Sequence, residues 1–256
     1  METNNWTREE LVLALNLYFK LPFGKLHTKT PEIQELATVI GRTVNSVAMR
    51  LNNFASLDPY HLNRGIGGLK NVSKDCVLIW NEFIAGREEL VFEAENIFAR
   101  REHKSLEFKY RNLLEDLPLM VGEERLSLVK TRVNQSVFRQ FVLANYNSTC
   151  AISGVNIPDL LVSSHIIPWS VNTEERLNPE NGLCLSAIHD RAFDKGLIAI
   201  DTGFKILIST ELKQFSKELF YDFHFGQFEN KPIKKPGKYL PRKEFIEYHL
   251  DSIFRK

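Results

Sequence analysis

The stretch that decides the fold of this chain runs from residue 150 to residue 201. It contains C-A-I-S-G at Cys150–Gly154, S-S-H-I-I-P-W at Ser163–Trp169, N-P-E-N-G-L-C-L at Asn178–Leu185, and H-D-R-A-F-D-K-G-L-I-A-I-D at His189–Asp201. The β-forming runs Cys150–Ile152 and Leu160–Val162 predict an irregular hairpin. A short helix is predicted next, ending near Gly196, and a second hairpin follows it. His165 then falls late in the second strand, and His189 falls on the helix.

These motifs resemble the HNH endonuclease superfamily, and the similarity covers about residues 125–256. Within the superfamily the chain is most similar to bacterial restriction-type proteins that carry S-H-I-x-P-W, N-G-L-x-L and H-x-x-x-F-D-x-G. The lead-in R-x-N-Q-x-x-F-R at Arg132–Arg139 and the closing L-P-R-K-E-F-I-E-Y-H at Leu240–His249 are similar as well. The resemblance implies a C-terminal domain with the ββα-metal fold.

The resemblance also implies a role for each residue of the His-Asn-His set. His165 would take a proton from water, because a neutral imidazole is a suitable general base. His189 would bind a divalent cation that stabilises the phosphate during attack. Asn181 would hydrogen-bond the backbone of the loop between strand and helix, and so fix the orientation of His165.

The sequence departs from the superfamily pattern at two places. Many members have Asp or His directly before the catalytic His, as a second metal ligand, whereas this chain has Ser164. We therefore take Ser164 and Asp194 as candidate ligands beside His189, with a structural hydrogen bond as the alternative for Asp194. Oxygen ligands favour Mg²⁺ or Mn²⁺. Ser153 stands where zinc-binding members have the partner of Cys150, so no structural zinc is expected.

Several basic residues are candidates for contact with nucleic acid. Arg132, Arg139 and Arg191 could bind phosphate, since the arginine fork matches phosphate oxygens, or they could be charges on helix surfaces. Lys234 and Lys235 lie in a lysine-rich tail that would attract the DNA backbone. Trp169 could stack on a base, but we favour packing beneath its loop. The remaining histidines match no ligand spacing and are predicted to be surface or structural residues: His27, His61, His103, His224 and His249.

Residues 1–56 predict three helices. A T-x-x-E capping box starts the first, Thr30 with Pro31 starts the second, and Thr43 starts the third after a turn at Gly41. The pattern resembles a helix-turn-helix unit, in which Asn45 and Arg50 would face DNA. The alternative is a small bundle that packs against a neighbour. Residues 57–124 are predicted to form helical connectors and a linker. A loop is expected over residues 57–73, helical spacing follows from about Asp75 to Lys104 with a break at Gly86, and the acidic stretch around Glu115–Pro118 is expected to be the linker.

Composition sets the class of the protein. The chain has 256 residues, 43% hydrophobic and 25% charged, with a net charge of +1 and three scattered cysteines. These values are typical of an ordinary globular protein, and the few scattered cysteines fit a reducing cytoplasm and exclude a disulfide scaffold. The α+β class is predicted from the helical pattern of residues 1–124 together with the ββα-metal domain that the resemblance implies for residues 125–256. We see no secretory signal and no apolar run of the roughly 18 residues needed for a membrane span. Because net charge is near zero, any affinity for nucleic acid must come from local charge.

The sequence therefore predicts a metal-dependent DNA endonuclease of restriction or defence type, acting on double-stranded DNA. One such site cuts one strand, so a double-strand break would need a homodimer or two successive visits. Two alternatives remain. One is a DNA-binding regulator with a silent nuclease fold, and the other is a partner-activated effector whose N-terminal unit binds protein.

Overall fold

The structure is a computed structural model that describes residues 5–22, 24–62, 72–117 and 121–256. The chain divides into two compact units, residues 1–137 and 138–256. The first unit is helical, and its elements are α1 (Arg8–Lys20), α2 (Pro31–Ile40), α3 (Val44–Ala55), α4 (Pro59–Leu62), α5 (Lys74–Ala85), α6 (Arg87–Arg101), α7 (Leu106–Lys109) and α8 (Arg111–Leu114).

The first three helices begin and end close to where the sequence predicts. Thr7 and Glu10 form the reciprocal capping box of α1, and the Thr43 side chain caps α3. Gly41 ends α2 in the left-handed conformation. Thr30 precedes α2 but does not cap it, because its hydroxyl donates to the carbonyl of Lys25 instead.

The outer face of α3 is narrower than expected. Asn53 is buried, where its amide nitrogen donates to Met49 O and its side-chain oxygen accepts from Ser73 N–H. Arg50 lies over the Trp6 ring, and its guanidinium donates to Cys76. Asn45 and Met49, one turn apart, remain exposed.

The described residues of the connector, residues 57–124, contain more helix than their composition suggests. Gly86 separates α5 from α6 as predicted. The loop predicted over residues 57–73 is interrupted by α4, and residues 63–71 of it are outside the described residues. The linker predicted around Glu115–Pro118 begins directly after α8, and residues 118–120 are not among the described residues. Before it, α7 and α8 bring Tyr110 and Leu114 into a core cluster with Val129 and Val133.

A buried carboxylate holds this part of the unit together. Glu95, which is 1% exposed, accepts hydrogen bonds from the Tyr110 hydroxyl at 2.7 Å and from the Asn16 amide at 2.6 Å. It also forms ion pairs with Lys20 and Lys109. Burial raises the pKa of Glu95, but the two lysine charges outweigh it and leave that pKa well below the ordinary value.

A long helix, α9 (Gly122–Asn145), begins in the first unit and ends in the second. It contains residue 125, where the sequence predicted a domain boundary. The elements that follow are β1 (Leu161–His165), β2 (Gly182–Ser186), α10 (Ala187–Asp194), β3 (Ile198–Ile200), β4 (Ile206–Ile208), α11 (Thr210–Lys213), α12 (Leu219–His224) and α13 (Lys243–Ser252). Helices and small sheets together confirm the α+β class.

The ββα unit consists of β1, β2 and α10. The strands pair antiparallel, from Leu161 opposite Ser186 to His165 opposite Gly182. The predicted hairpin between residues 150–152 and 160–162 was wrong, because residues 151–153 form a turn whose Ala151 N–H donates to Cys184 O. His165 therefore ends the first strand, not the second. The second predicted hairpin is confirmed by β3 and β4.

Hydrogen bonds and an ion pair hold the C-terminal residues 238–255 against the ββα unit. The Asn145 side-chain oxygen accepts hydrogen bonds from the backbone of Lys238 and Tyr239. The Arg242 guanidinium pairs with Glu180 at 2.6 Å just before α13. After the helix, the Arg255 N–H donates to Gly196 O at 2.9 Å. None of the described helices is long and apolar enough to cross a membrane.

Candidate active site

A cavity of about 490 Å³ opens in the second unit, between β1, α10 and α13. Its lining combines carboxylates, imidazoles, cations and two serine hydroxyls. The residues are Val162, Ser163, Ser164, His165, Pro168, Trp169, Asp190, Arg191, Asp194, Lys195, His249 and Ile253. The cavity thus contains four of the sequence-predicted site residues: His165, Ser164, Asp194 and Arg191. His189 and Asn181 do not line it.

His165 is held in one orientation and one tautomer. Its ring stacks on Phe138, with centroids 3.8 Å apart, and its Nε2 lies 2.9 Å from Arg176 O. A carbonyl only accepts, so Nε2 carries the proton and Nδ1 keeps a lone pair. Burial lowers the pKa of His165 to about 4. The ring is therefore neutral at pH 7 and able to accept a proton at Nδ1.

Asn181 fixes the loop that follows His165. The residue is 1% exposed. Its Oδ1 accepts from Ile167 N–H at 2.8 Å, and its amide nitrogen donates to Ile167 O and Glu175 O, both at 3.2 Å. The braced loop joins β1 to β2, whereas the sequence placed it between strand and helix. Since Arg176 O follows Glu175 directly, the same brace positions the carbonyl that orients His165.

His189 does not face the cavity. It is 2% exposed, and both ring nitrogens have protein partners. Nε2 donates to His224 O at 2.7 Å, so Nδ1 is the acceptor, and it lies 2.7 Å from the Ser186 hydroxyl. No lone pair is left for a cation. The expectation that His189 binds the metal is therefore not supported by this arrangement.

Asp190, the next residue, does face the cavity together with Asp194. The pKa of Asp190 is raised to about 6, first by desolvation and then by the charge of Asp194. Desolvation also raises the pKa of Asp194. Ser164 is 3% exposed, and its hydroxyl lies against Asp190 without completing a hydrogen bond of ordinary geometry. The charge of Arg191 opposes both pKa shifts and the charge of Lys195 opposes that of Asp194, but desolvation outweighs them. Two carboxylates that are costly to ionise in one cavity favour a bound cation.

The periodicity of α10 explains this placement. His189, Ala192 and Phe193 stand at positions i, i+3 and i+4 and form the buried face. Asp190 and Asp194, at i and i+4, share another face. The sequence contains this signal, because the apolar pair Ala192-Phe193 already assigns His189 to the core side. The family pattern marks His189 as the metal ligand and therefore does not indicate that its side chain faces the core.

The predicted nucleic-acid contacts between residues 132 and 235 differ in their surroundings. Arg191 is exposed at the cavity, and Lys195, which the sequence analysis missed, lies beside it. Arg139 is committed to structure, since its guanidinium donates to Pro158 O and Leu161 O at the start of β1. The other candidates lie on the surface away from the cavity lining: Arg132, Lys234 and Lys235.

Cys150 lies behind α10. Its sulfur accepts from Ser153 N–H at 3.4 Å and Ser186 N–H at 3.2 Å, and it lies 3.9 Å from His189 Nδ1. These contacts tie the turn at residue 150 to the start of the helix.

Residues 150–201 match a family model described as HNH endonuclease. This segment is an HNH endonuclease domain. A comparison with curated proteins gave no match to the chain. The matched residues include β1, β2 and α10, so the HNH domain has the ββα unit at its centre. A nuclease activity is what the match indicates for the chain.

HNH nucleases use a divalent metal, and the chemistry of the cavity fits one. Asp190, Asp194 and Ser164 offer oxygen atoms, which Mg²⁺ and Mn²⁺ prefer. In the part of the chain that the structure describes, no three His, Cys, Asp or Glu side chains form a ready metal centre. That is compatible with Mg²⁺, which is often held by one or two carboxylates while water and substrate phosphate complete its shell.

Proposed function

We propose that the chain is a DNA endonuclease of restriction or defence type whose cation is held by Asp190 and Asp194 rather than by His189. This assignment rests on one observation: the carboxylates of Asp190 and Asp194 line the same cavity as a neutral His165. The surrounding HNH motifs support phosphodiester hydrolysis, and their resemblance to restriction-type proteins supports the defence role.

The cavity residues divide the work. His165 Nδ1 takes a proton from water, and the resulting hydroxide attacks phosphorus while the 3′ oxygen departs. Arg176 O, held near the Asn181 brace, keeps His165 in the correct tautomer. Arg191 and Lys195 attract the phosphate. A bound cation would stabilise the charge on the phosphate and on the leaving oxygen. The expected products carry 5′-phosphate and 3′-hydroxyl ends.

We also propose that the N-terminal helices select the DNA target, through a smaller surface than the sequence predicts. The surface that α3 offers to DNA is centred on Asn45 and Met49, because Arg50 is occupied by Trp6 and Cys76. An amide can read a base edge, but phosphate attraction must come from elsewhere. Replacing Asn45 by Ala in the full chain should alter the cleavage pattern and leave the total rate similar. An unchanged pattern would favour a protein-binding role for this unit.

The test of the function is cleavage of supercoiled plasmid in Mg²⁺ or Mn²⁺, with methylated and unmethylated DNA in parallel. The native chain should produce nicked circles before linear DNA, because one site cuts one strand. His165→Ala and Asp190→Asn should each lose about 100-fold or more in rate. The matched controls, His27→Ala and Asp159→Asn, remove exposed groups outside the cavity and should cleave like the native chain.

A silent nuclease fold is the second candidate. Ser164 in the usual ligand position and the lack of a ready three-ligand centre among the described residues favour it. In that case the native chain would retain DNA at low salt, show no cleavage of either substrate and bind no Mn²⁺. Cleavage by the native chain alone, lost in Asp190→Asn, would rule this candidate out.

A further inference from the structure

His249 lies outside the matched segment, yet it lines the same cavity as Asp190 and Asp194. The sequence predicted a surface or structural role for it. It is 2% exposed, on the inner face of α13, and its ring stacks on Phe193 with centroids 3.7 Å apart. The C-terminal helix thus contributes a buried imidazole to a cavity whose carboxylates come from the matched segment.

The two nitrogens of His249 differ. Nε2 lies 3.1 Å from Phe193 O, so it carries the proton and donates. Nδ1 is therefore an acceptor, and it is buried without a hydrogen-bond partner among the described residues. A buried acceptor without a partner is unfavourable, and a bound ligand or water would satisfy it. Burial also lowers the pKa of His249 to about 4, so the ring is neutral at pH 7.

The surroundings hold His249 in place. The Arg242–Glu180 pair fixes the start of α13, and the bond from Arg255 N–H to Gly196 O fixes the chain beyond its end. Phe193, the acceptor and stacking partner, precedes Asp194 in α10. His249 is thereby tied to the helix that carries both carboxylates. His165, across the cavity, has the same tautomer and the same kind of carbonyl partner.

We propose that His249 is a positioning residue of the nuclease site, whose Nδ1 accepts a hydrogen bond from a water bound to the Asp190–Asp194 cation. This inference rests on the proposed function. A water-mediated role agrees with the lack of a third direct ligand among the described residues. Partners one shell out from a metal orient its ligands and affect its affinity.

Two substitutions separate this role from a structural one. His249→Gln places an amide N–H near the Nε2 position and nothing at Nδ1, so it preserves the bond to Phe193 O. His249→Asn places an acceptor near Nδ1 and removes the Nε2 donor. Mn²⁺ affinity of the full chain is measured by calorimetry without DNA, beside Asp190→Asn. We expect Gln to weaken binding by about tenfold and Asn to stay within about threefold of the native chain.

The outcomes are distinct. Equal affinity in the native chain and both His249 variants would overturn the inference, as would a larger loss in Asn than in Gln, which indicates a structural role. If Asp190→Asn also binds Mn²⁺ like the native chain, the proposed cation site itself is wrong. A measurement on the native chain avoids any failure of variants to fold. With ¹⁵N-labelled histidine, Mg²⁺ should shift the Nδ1 resonance of His249, and no shift would contradict the proposal.

Discussion

Replacing Asp190 by Asn should make the metal-free protein more stable while it removes cleavage. Asp190 lies half-buried in the cavity, where its charge is desolvated and repelled by Asp194. Asparagine has nearly the same shape and keeps a polar contact with Ser164, but it carries no charge. The substitution therefore removes an unfavourable ionisation without opening a cavity.

The size of the effect follows from the pKa. Asp190 titrates at about 6 in the folded chain, against an ordinary value of 3.8. A difference of about two pKa units, at about 1.4 kcal/mol per unit, makes its ionisation cost about 3 kcal/mol of folding free energy at neutral pH. The folded pKa is raised, so this cost is absent below about pH 4, grows between about pH 4 and 6, and is complete above about pH 6.

Urea unfolding in EDTA, at about pH 7.5 and again at about pH 4.5, measures this cost. We expect Asp190→Asn to exceed the native chain by about 2 to 3 kcal/mol at the higher pH and by about 1 kcal/mol or less at the lower. Asp159→Asn, an exposed carboxylate outside the cavity, should change stability by less than about 0.5 kcal/mol at both.

Two results would refute the reasoning. If Asp190→Asn is no more stable than the native chain at neutral pH, the carboxylate is not desolvated as the structure shows. If the variant still cleaves plasmid at the native rate, Asp190 does not hold the cation. A stability gain together with lost cleavage is the signature of a charge kept at a cost for function.

Three further predictions concern the framework. His189→Ala should lower the free energy of unfolding by about 2 to 4 kcal/mol, because it opens a buried space and leaves polar partners unpaired, yet calorimetry should show unchanged Mn²⁺ affinity. Gly196→Ala should cost more than about 2 kcal/mol in urea unfolding, since Gly196 has φ +67° and a Cβ there would lie 2.0 Å from Ile253 O. Glu95→Gln should destabilise the chain by about 3 to 5 kcal/mol at pH 7, because it leaves Lys20 and Lys109 without a buried counter-charge. The Glu95 pKa is depressed in the folded chain, so its contribution is present above about pH 4.5. The difference between native and Glu95→Gln should therefore shrink as pH falls through the acidic range in the same urea assay.

Local signals in the sequence predicted much of the helical unit. The capping box at Thr7, the left-handed turn at Gly41 and the break at Gly86 depend on residues close in the chain, and each stands where expected. The short helices over residues 106–114 could not be recognised from the sequence. Their order depends on Tyr110 reaching Glu95 and on Leu114 packing with Val133, contacts that no local pattern contains.

Strand pairing was the weakest inference for the same reason. Residues 150–152 have β-forming side chains, but the true partner of β1 lies beyond a loop that Asn181 braces. Gly182 also has a role that the sequence does not show, since a Cβ at this position would lie 2.4 Å from the Val142 side chain. Close packing of α9 on β2 therefore requires glycine.

The sequence by itself determined that an HNH domain is present, because the spacing of its motifs over residues 150–201 is specific. It also determined that His189 lies on a helix. Only the tertiary structure decided which side chains share the cavity, because the sequence does not show which elements pack around the helix that carries Asp190 and Asp194. Packing turned His189 inward and Asp190 outward, and a helix almost fifty residues beyond the motif brought His249 to the same cavity.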